Sequence, residues 1–178
     1  SDFLLVNHAG KFRDQGLEAG VAYSEDGRAR SGMGVDSADL DQDGWQDLFL
    51  TNIDHELYSL YHNRQDGTFD DIATTTCIAS ASRNMSGWGV RLFDYDNDGN
   101  LDIFIADGHP DDQIALTSST VTYREPLLLI HNEGKTFRNV SNSAGPIFRQ
   151  PMAARGLALG DFDNDGAVDV LIAVMPAP

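Results

Sequence analysis

DLDQDGWQDLFLTN (residues 39–52) places a tight acidic turn directly before a short apolar run. The arrangement recurs as DYDNDGNLDIFIAD (residues 94–107) and as DFDNDGAVDVLIAV (residues 161–174). Each copy follows the pattern D-x-D-x-D-G-x-x-D, with aspartate at positions 1, 3, 5 and 9 and glycine at position 6. Three copies in 178 residues are a much stronger signal than one, and they indicate a repeated structural unit.

The carboxylates of these three Asp-rich loops predict calcium binding. Calcium accepts about six to eight oxygen ligands in flexible geometry, whereas magnesium demands a stricter octahedron. Glycine at position 6 permits the sharp turn, and the main-chain carbonyl at position 7 supplies a further oxygen. The sequence therefore predicts about three Ca²⁺ sites, whose ligands are Asp39, Asp41, Asp43, Trp45 and Asp47; Asp94, Asp96, Asp98, Asn100 and Asp102; and Asp161, Asp163, Asp165, Ala167 and Asp169.

Other interpretations of the loops fit less well. An EF-hand requires Glu at position 12 and flanking helices, but Leu50, Ile105 and Ile172 occupy that position within apolar runs typical of strands. Zinc and copper favour His and Cys ligands, and neither residue type occurs inside a loop. Metal-free Asx turns would suit one loop, but repeated clusters of four carboxylates repel themselves without a cation.

The charge of the chain is concentrated in the loops. The chain has 28 acidic and 12 basic residues, a net charge of −16, and each of the three loops holds four of the acids. This balance and the lack of a basic patch argue against a nucleic-acid partner. The hydrophobic content of 41% predicts a folded core, and no membrane span is visible. The single cysteine, Cys77, excludes an internal disulfide and is predicted to be a buried, inert thiol.

The residues around each loop also repeat and predict four short strands per unit. A glycine-rich lead forms the first strand, and the apolar run after the loop forms the second. The third strand ends in Asn before a turn, and the fourth carries Phe12, Phe69 or Phe137. No stretch has a helical period long enough for a helix. We therefore predict an all-β fold made of β-propeller blades, which are four-stranded antiparallel repeats.

The phase of the repeat predicts an incomplete ring within one domain, 1–178. We expect a half-blade at 1–30, blades at 31–82 and 83–145, and a half-blade at 146–178, about three blades' worth. Propellers have about four to eight blades. The chain is therefore expected to be part of a larger propeller, or else to form a homo-oligomeric ring through its open half-blades.

A long insertion at residues 107–126 separates the second and third strands of the third unit. Long loops on rigid scaffolds often bind ligands, although simple elaboration of the fold also explains the insertion. Within it, His109 with Asp111 and Asp112 is the one His-containing grouping worth testing as a ligand set.

Other histidines and the tryptophans have both structural and functional interpretations. His8, His62 and His131 occupy equivalent places beside Asn, which favours a structural turn element. Trp45, inside the first loop, is expected to be partly exposed and could stack on a sugar, whereas Trp88 is expected to pack between blades.

The loops between strands resemble the FG-GAP/VCBS repeats of integrin α-subunit propellers. A nearer resemblance is to the cartilage acidic protein family, whose bacterial members carry VCBS repeats followed by an ASPIC/UnbV domain. It rests on residues 23–52 (YSEDGRARSGMGVDSADLDQDGWQDLFLTN), 93–110 (FDYDNDGNLDIFIADGHP), 122–146 (TYREPLLLIHNEGKTFRNVSNSAGP) and 154–174 (ARGLALGDFDNDGAVDVLIAV). The resemblance implies a propeller, bound calcium and a longer exported protein, and it implies no defined activity.

Together these observations predict a calcium-binding propeller module that serves as a scaffold for a protein or carbohydrate ligand. We expect a secreted, extracellular or periplasmic location. No nucleophile-elbow, HExxH or phosphate-binding loop motif is present, so we predict that the module is not an enzyme. A calcium-dependent polysaccharide-active enzyme and a lectin remain the alternatives.

Overall fold

The computed structural model describes residues 1–176 and confirms the predicted all-β class. Within these residues the chain forms twelve strands and one short α-helix. The elements are β1 (Leu5–His8), β2 (Lys11–Asp14), β3 (Val35–Ala38), β4 (Asp47–Leu50), β5 (Ser59–Asn63), β6 (Phe69–Asp71), α1 (Ile78–Ser82), β7 (Gly87–Phe93), β8 (Asp102–Asp107), β9 (Leu128–Asn132), β10 (Phe137–Asn139), β11 (Ala154–Gly160) and β12 (Asp169–Val174). Short 3₁₀ turns occur at Ala73–Thr75, Ile114–Leu116, Ser141–Ser143 and Pro146–Arg149.

The strands form two four-stranded antiparallel sheets and two separate strand pairs. Sheet I has the order β3-β4-β5-β6 and sheet II the order β7-β8-β9-β10, so consecutive strands are neighbours throughout. The N-terminal pair is β1-β2 and the C-terminal pair is β11-β12. Four-stranded meanders of this kind are typical of propeller blades, as the sequence predicts.

The sheets lie inside the predicted blade ranges 31–82 and 83–145, and the strand pairs lie inside 1–30 and 146–178. The last two residues of the predicted half-blade 146–178 are outside the described part of the chain. The exact blade boundaries stay predictions.

The glycine-rich leads bring the first strands of successive units into close contact. A Cβ on Gly34, just before β3, would lie 2.1 Å from the Trp88 carbonyl oxygen in β7. A Cβ on Gly89 would lie 2.7 Å from the Leu157 Cβ in β11. Because only glycine permits backbones to approach this closely, the leads place β3, β7 and β11 side by side. The Asp-rich loops that follow these strands therefore lie at one common end.

Alternating side chains of the second and third strands bury both faces of sheet II. Ile103 and Ile105 of β8 pack with Phe49 of sheet I, in a core where all three are at most 1% exposed. Phe104 of β8 instead packs with Leu157 of the C-terminal pair. Because successive side chains of a strand point to opposite faces, one strand contributes to two cores. These cores hold the successive units together face to face.

The structure differs from the sequence-based expectation at helix α1. We predicted no helix, yet Ile78–Ser82 forms a short helix of little more than one turn. Ile78 and Ser82 are both buried, and Ile78 joins the core between the two sheets. Five residues are too few to show an amphipathic period in the sequence. The helix forms because tertiary packing stabilises it.

Candidate metal centres

In each Asp-rich loop the aspartate at position 1 closes the turn through two main-chain hydrogen bonds. The Asp39 carboxylate accepts the N–H of Asp43 at 3.0 Å on Oδ1 and the N–H of Gly44 at 2.9 Å on Oδ2. The same two bonds recur at Asp94 and Asp161, with distances of 2.8 to 3.1 Å. The three loops therefore share one local geometry.

The aspartate at position 5 and the backbone complete this geometry. The Asp43 Oδ1 atom accepts the Trp45 N–H at 2.8 Å, and the equivalent bonds in the second and third loops have the same length. Positions 4 and 6 both adopt positive φ, at 61° and 91° in the first loop. At Gly99 no atom of the described residues lies within 4 Å of an added Cβ, so glycine is required there by the backbone angle alone.

The aspartate at position 9 has a different role because it also joins the loop to the third strand. Asp47 is 3% exposed; its Oδ2 accepts the Leu40 N–H at 3.2 Å and its Oδ1 accepts the Asn63 N–H at 2.9 Å. Asp102, which is fully buried, makes the equivalent contacts. Burial raises the pKa of both carboxyls, although the main-chain donors oppose this shift.

Two histidines of the third strands lie against the loops, an arrangement that we did not predict from the sequence. The His62 Nδ1 atom is 3.4 Å from an Asp41 oxygen and 3.3 Å from an Asp47 oxygen. The His131 Nδ1 atom is 2.9 Å from Asp102 Oδ1 and 3.8 Å from an Asp96 oxygen. The interpretation of these histidines as turn elements alone is therefore incomplete.

The register of the sheets explains where these histidines lie. Leu48 pairs with Tyr61, and Ile103 pairs with Ile130. Continuing each antiparallel ladder by one residue places Asp47 opposite His62 and Asp102 opposite His131. His8 has the equivalent place in the N-terminal pair and is exposed.

The donor sets of the loops fit a hard divalent cation. One carboxylate oxygen from each of three aspartates lies within 4.8 Å of the others in every loop. Positions 1, 3 and 5 converge in the first two loops, and positions 1, 3 and 9 converge in the third. Oxygen-only sets of this kind match calcium. Two further groups combine Asp41, Asp47 and His62, and Asp96, Asp102 and His131. The main-chain ligands at position 7 stay predictions.

Neighbouring loops also contact one another. The Gln42 amide nitrogen donates to the Gly99 carbonyl oxygen at 2.9 Å and to Asn100 Oδ1 at 3.1 Å. The buried Asn132 side chain donates to the Leu40 carbonyl oxygen at 2.7 Å. The first and second candidate metal centres are therefore linked across the boundary between sheets I and II.

The His109 grouping of the long insertion is not arranged as a metal site. His109 is 4% exposed, its Nε2 lies 3.1 Å from Asp54 Oδ1, and its Nδ1 contacts the Asp111 main chain. Among residues 1–176, the groups of side chains spaced for metal binding include neither Asp111 nor Asp112. His109 instead connects the insertion to the segment before β5.

The other singled-out residues lie largely where the sequence indicates. Trp45 is 47% exposed, whereas Trp88 donates from its indole N–H to the Gly108 carbonyl oxygen and lies under the Arg155 guanidinium. Cys77 is only partly buried, so the prediction of a buried thiol is wrong. Desolvation still raises the pKa of this thiol. None of the helices in the described part of the chain has the length and apolar character needed to cross a membrane.

Comparison with known proteins supports the same repeat. Residues 39–105 match the model of the FG-GAP-like repeat family. The chain is 31% identical to cartilage acidic protein 1 of Homo sapiens over 159 residues, which cover 89% of this chain and 21% of that protein. The corresponding protein of Mus musculus is 29% identical with the same coverage. That of Xenopus tropicalis is 27% identical over 78% of this chain and 19% of its own length. The chain thus spans about a fifth of these relatives.

Proposed function

Because the chain carries an FG-GAP-like repeat and is similar to cartilage acidic protein 1 over 89% of its length, we propose that it is a calcium-binding propeller module of an exported protein. The module would act outside the cell or in the periplasm, as a scaffold that binds a protein or carbohydrate partner. The recurrence of one carboxylate geometry at the same end of three adjacent first strands carries this proposal.

The aspartates of each loop have different roles in the proposed cation site. The aspartates at positions 1 and 5 are oriented by main-chain N–H groups, so their remaining lone pairs are held in position at little entropic cost. The aspartate at position 9 fixes the loop to the third strand in sheets I and II. Bound Ca²⁺ would neutralise the clustered carboxylates and stabilise the connection between first and second strands.

Calcium binding can be tested loop by loop. We expect isothermal titration of the metal-free chain to give about three sites, and Asp41→Asn, Asp96→Asn and Asp163→Asn each to remove one of them. Asp112→Asn is the control, because Asp112 is an exposed acid outside the loops. The proposal would be refuted if no calcium bound at millimolar calcium concentration. It would also be refuted if all three variants bound as many calcium ions as the natural sequence.

One observation favours a carbohydrate partner. The Trp45 side chain is 47% exposed, and the Trp45 main-chain N–H donates to a proposed calcium ligand, Asp43. A sugar ring could stack on this indole close to the cation. We expect any calcium-dependent signal on a glycan array to disappear in Trp45→Ala and to persist in Phe162→Ala, an exposed aromatic of the third loop. A signal that survives Trp45→Ala, or silence of the whole array, would instead favour a protein partner.

We propose no catalytic role, because the matching family model is a repeat and the sequence carries none of the catalytic motifs sought above. The alternative is a calcium-dependent polysaccharide-active enzyme. Release of reducing or unsaturated ends from a panel of polysaccharides, abolished by chelator, would overturn the scaffold proposal.

We also propose that the open strand pairs mediate association between copies of the chain. In sheets I and II the second strand lies between the first and the third, whereas within residues 1–176 β12 has only β11 beside it and β1 has only β2. Leu171 on β12 is 62% exposed and Leu5 on β1 is 57% exposed. A β1 strand from a second copy would complete the order found in the four-stranded sheets.

Sedimentation velocity at several concentrations tests this association. We expect the average molar mass in solution to rise with protein concentration, and Leu171→Lys to suppress this rise. Leu116→Lys is the control, because Leu116 is 81% exposed on the long insertion and belongs to neither strand pair. A chain that stays monomeric at all concentrations would contradict self-association and favour a larger propeller in which other blades cover these edges.

A further inference from the structure

Two buried carboxylates lie at the ends of the strands opposite the Asp-rich loops. Asp107 ends β8, Glu125 precedes β9, and Tyr58 precedes β5 of the neighbouring sheet. Asp107 is fully buried, Glu125 is 2% exposed and Tyr58 is 1% exposed. These residues take no part in the candidate metal centres of the described chain.

Each carboxylate has one oxygen with a partner and one without. The Tyr58 hydroxyl of sheet I donates to Asp107 Oδ1, while Asp107 Oδ2 has no hydrogen-bond partner among residues 1–176. Glu125 Oε2 accepts the Ser86 N–H at 2.8 Å, while Glu125 Oε1 likewise has no partner in that range. A buried carboxylate oxygen without a donor is costly in its charged form.

The cationic groups near the pair make their close contacts with other partners. His109 is within 3.1 Å of Asp54. The Arg155 guanidinium donates to the carbonyl oxygens of Gly108, Ala154 and His109. In the described residues no ion pair reaches Asp107 or Glu125. From sheet I, the Tyr58 hydroxyl donates a hydrogen bond to Asp107.

The repeat shows that the fold does not require an acid at this place. Asp107 lies five residues after the position-9 aspartate of its loop, where sheet I has the uncharged Asn52. The Glu125 contact to Ser86 is matched in sheet I by Glu56, whose Oε2 accepts the Ser31 N–H at 2.6 Å. Glu56, however, is partly exposed. The combination of two buried acids therefore distinguishes the junction in sheet II from its counterpart in sheet I.

We propose that Asp107 and Glu125 form a proton-dependent junction between sheets I and II, neutral in acid and ionised in mild alkali. Burial raises the pKa of Asp107 to about 7 and that of Glu125 to about 8, and the nearby Asp107 and Asp54 charges add to the shift at Glu125. The Tyr58 hydrogen bond opposes the pKa shift at Asp107, and the Ser86 N–H and the Arg155 charge oppose the shift at Glu125. Ionisation leaves buried charges with unpartnered oxygens at the contact between the sheets.

The sign of the pH effect follows from linkage. Both carboxyls titrate at a higher pH in the folded chain than in the unfolded chain, so the unfolded state loses its protons first. The stabilising contribution is complete below the unfolded pKa values and is lost as the pH rises through the folded pKa values of about 7 and about 8. Stability should therefore fall with rising pH up to and through this window.

Urea unfolding of the calcium-saturated 178-residue chain between about pH 6 and pH 9 tests the junction. We expect the midpoint to fall across this range in the natural sequence and to fall less in Asp107→Asn and Glu125→Gln. Asn52 at the equivalent position indicates that the amide fits. Tyr58→Phe should move the fall to higher pH, because it removes a donor to the charged form of Asp107. Glu56→Gln is the matched control and should leave the pH dependence unchanged.

A second measurement avoids dependence on variants. In ¹³C NMR of the natural sequence, two side-chain carboxyl carbons should titrate above about pH 6, where ordinary Asp and Glu are fully ionised. Absence of both titrations, or a pH dependence unchanged in Asp107→Asn and Glu125→Gln, would overturn the proposal. It would also be overturned if Asp107→Asn removed one bound calcium ion at constant pH, because the pair would then hold a cation instead of protons.

Discussion

The Gln42 side-chain amide donates to the Gly99 carbonyl oxygen at 2.9 Å and thereby joins the first Asp-rich loop to the second. The two loops belong to different sheets, so this bond crosses the boundary between two repeats. The first and second candidate metal centres therefore share a polar contact across that boundary.

Gln42→Asn should weaken this connection without disturbing the turn. Asn occurs at the same loop position as Asn97 and Asn164, where φ is 59°, but its side chain is one methylene shorter than that of Gln42. We expect a loss of about 0.5–1 kcal/mol in urea unfolding, because the bond is exposed. Gln46→Asn, a change of the same size at an exposed position of the same loop, should have no effect; equal losses in both variants would contradict the assignment.

Gly99→Ala should destabilise the second loop through its backbone alone. Gly99 has φ of 93°, and no atom of the described chain lies within 4 Å of an added Cβ. We expect a cost of about 1–2 kcal/mol, the penalty of a left-handed conformation for an ordinary residue. Gly156→Ala is the control, since its Cβ would make an ordinary 3.4 Å contact with Ala173. If both variants had comparable free energies of unfolding, the positive φ at residue 99 would not be the reason that glycine is needed there.

Asp102→Asn should cost more than Asp169→Asn, although both change position 9 of a loop. Asp102 is fully buried and accepts hydrogen bonds from Tyr95, His131 and Asn132. In Asp102→Asn the side-chain NH₂ group would face one of the main-chain N–H donors and could not accept its hydrogen bond. Asp169 accepts the Phe162 N–H at 2.8 Å, and in residues 1–176 its strand has no third strand beside it. We expect a loss of about 1–3 kcal/mol for the buried site and a smaller loss for the other. Calorimetry in excess calcium measures both, and the reverse order would be inconsistent with burial as the cause.

Removal of calcium should lower the melting temperature. A ligand that binds only the folded state stabilises it by about 2.7 kcal/mol per site at a free concentration of about one hundred times Kd. We therefore expect a chelator to shift the calorimetric transition downward and added calcium to restore it. The triple variant Asp41→Asn, Asp96→Asn, Asp163→Asn should no longer respond. A chelator response that persists in that variant would place the stabilising metal outside these loops.

Much of the loop chemistry can be predicted because it is local in the chain. The acceptor roles of Asp39, Asp94 and Asp161 toward residues four and five positions later depend on turn geometry alone. The short apolar runs after each loop likewise predict the second strands. Spacing within each loop was sufficient for these features.

The contacts of His62 and His131 were missed because they depend on pairing between strands. Each histidine lies opposite the position-9 aspartate of a loop, across an antiparallel ladder. A usable signal was present: both histidines immediately precede the Asn that ends the third strand. The His-Asn pair by itself indicates only a turn, and the register with the preceding strand adds the contact with aspartate.

The repeat of Asp, Gly and short apolar runs is sufficient to specify turns, strands and an oxygen-rich donor set, because each depends on neighbours a few residues away. It cannot specify which face of one sheet covers the next. Burial of Asp107 and Glu125, the stacking of Arg155 on Trp88 and the Gln42 bridge arise only when separate repeats pack together. Burial and electrostatic environment are properties of that packing, and they change the pKa of a carboxyl whose sequence context is ordinary.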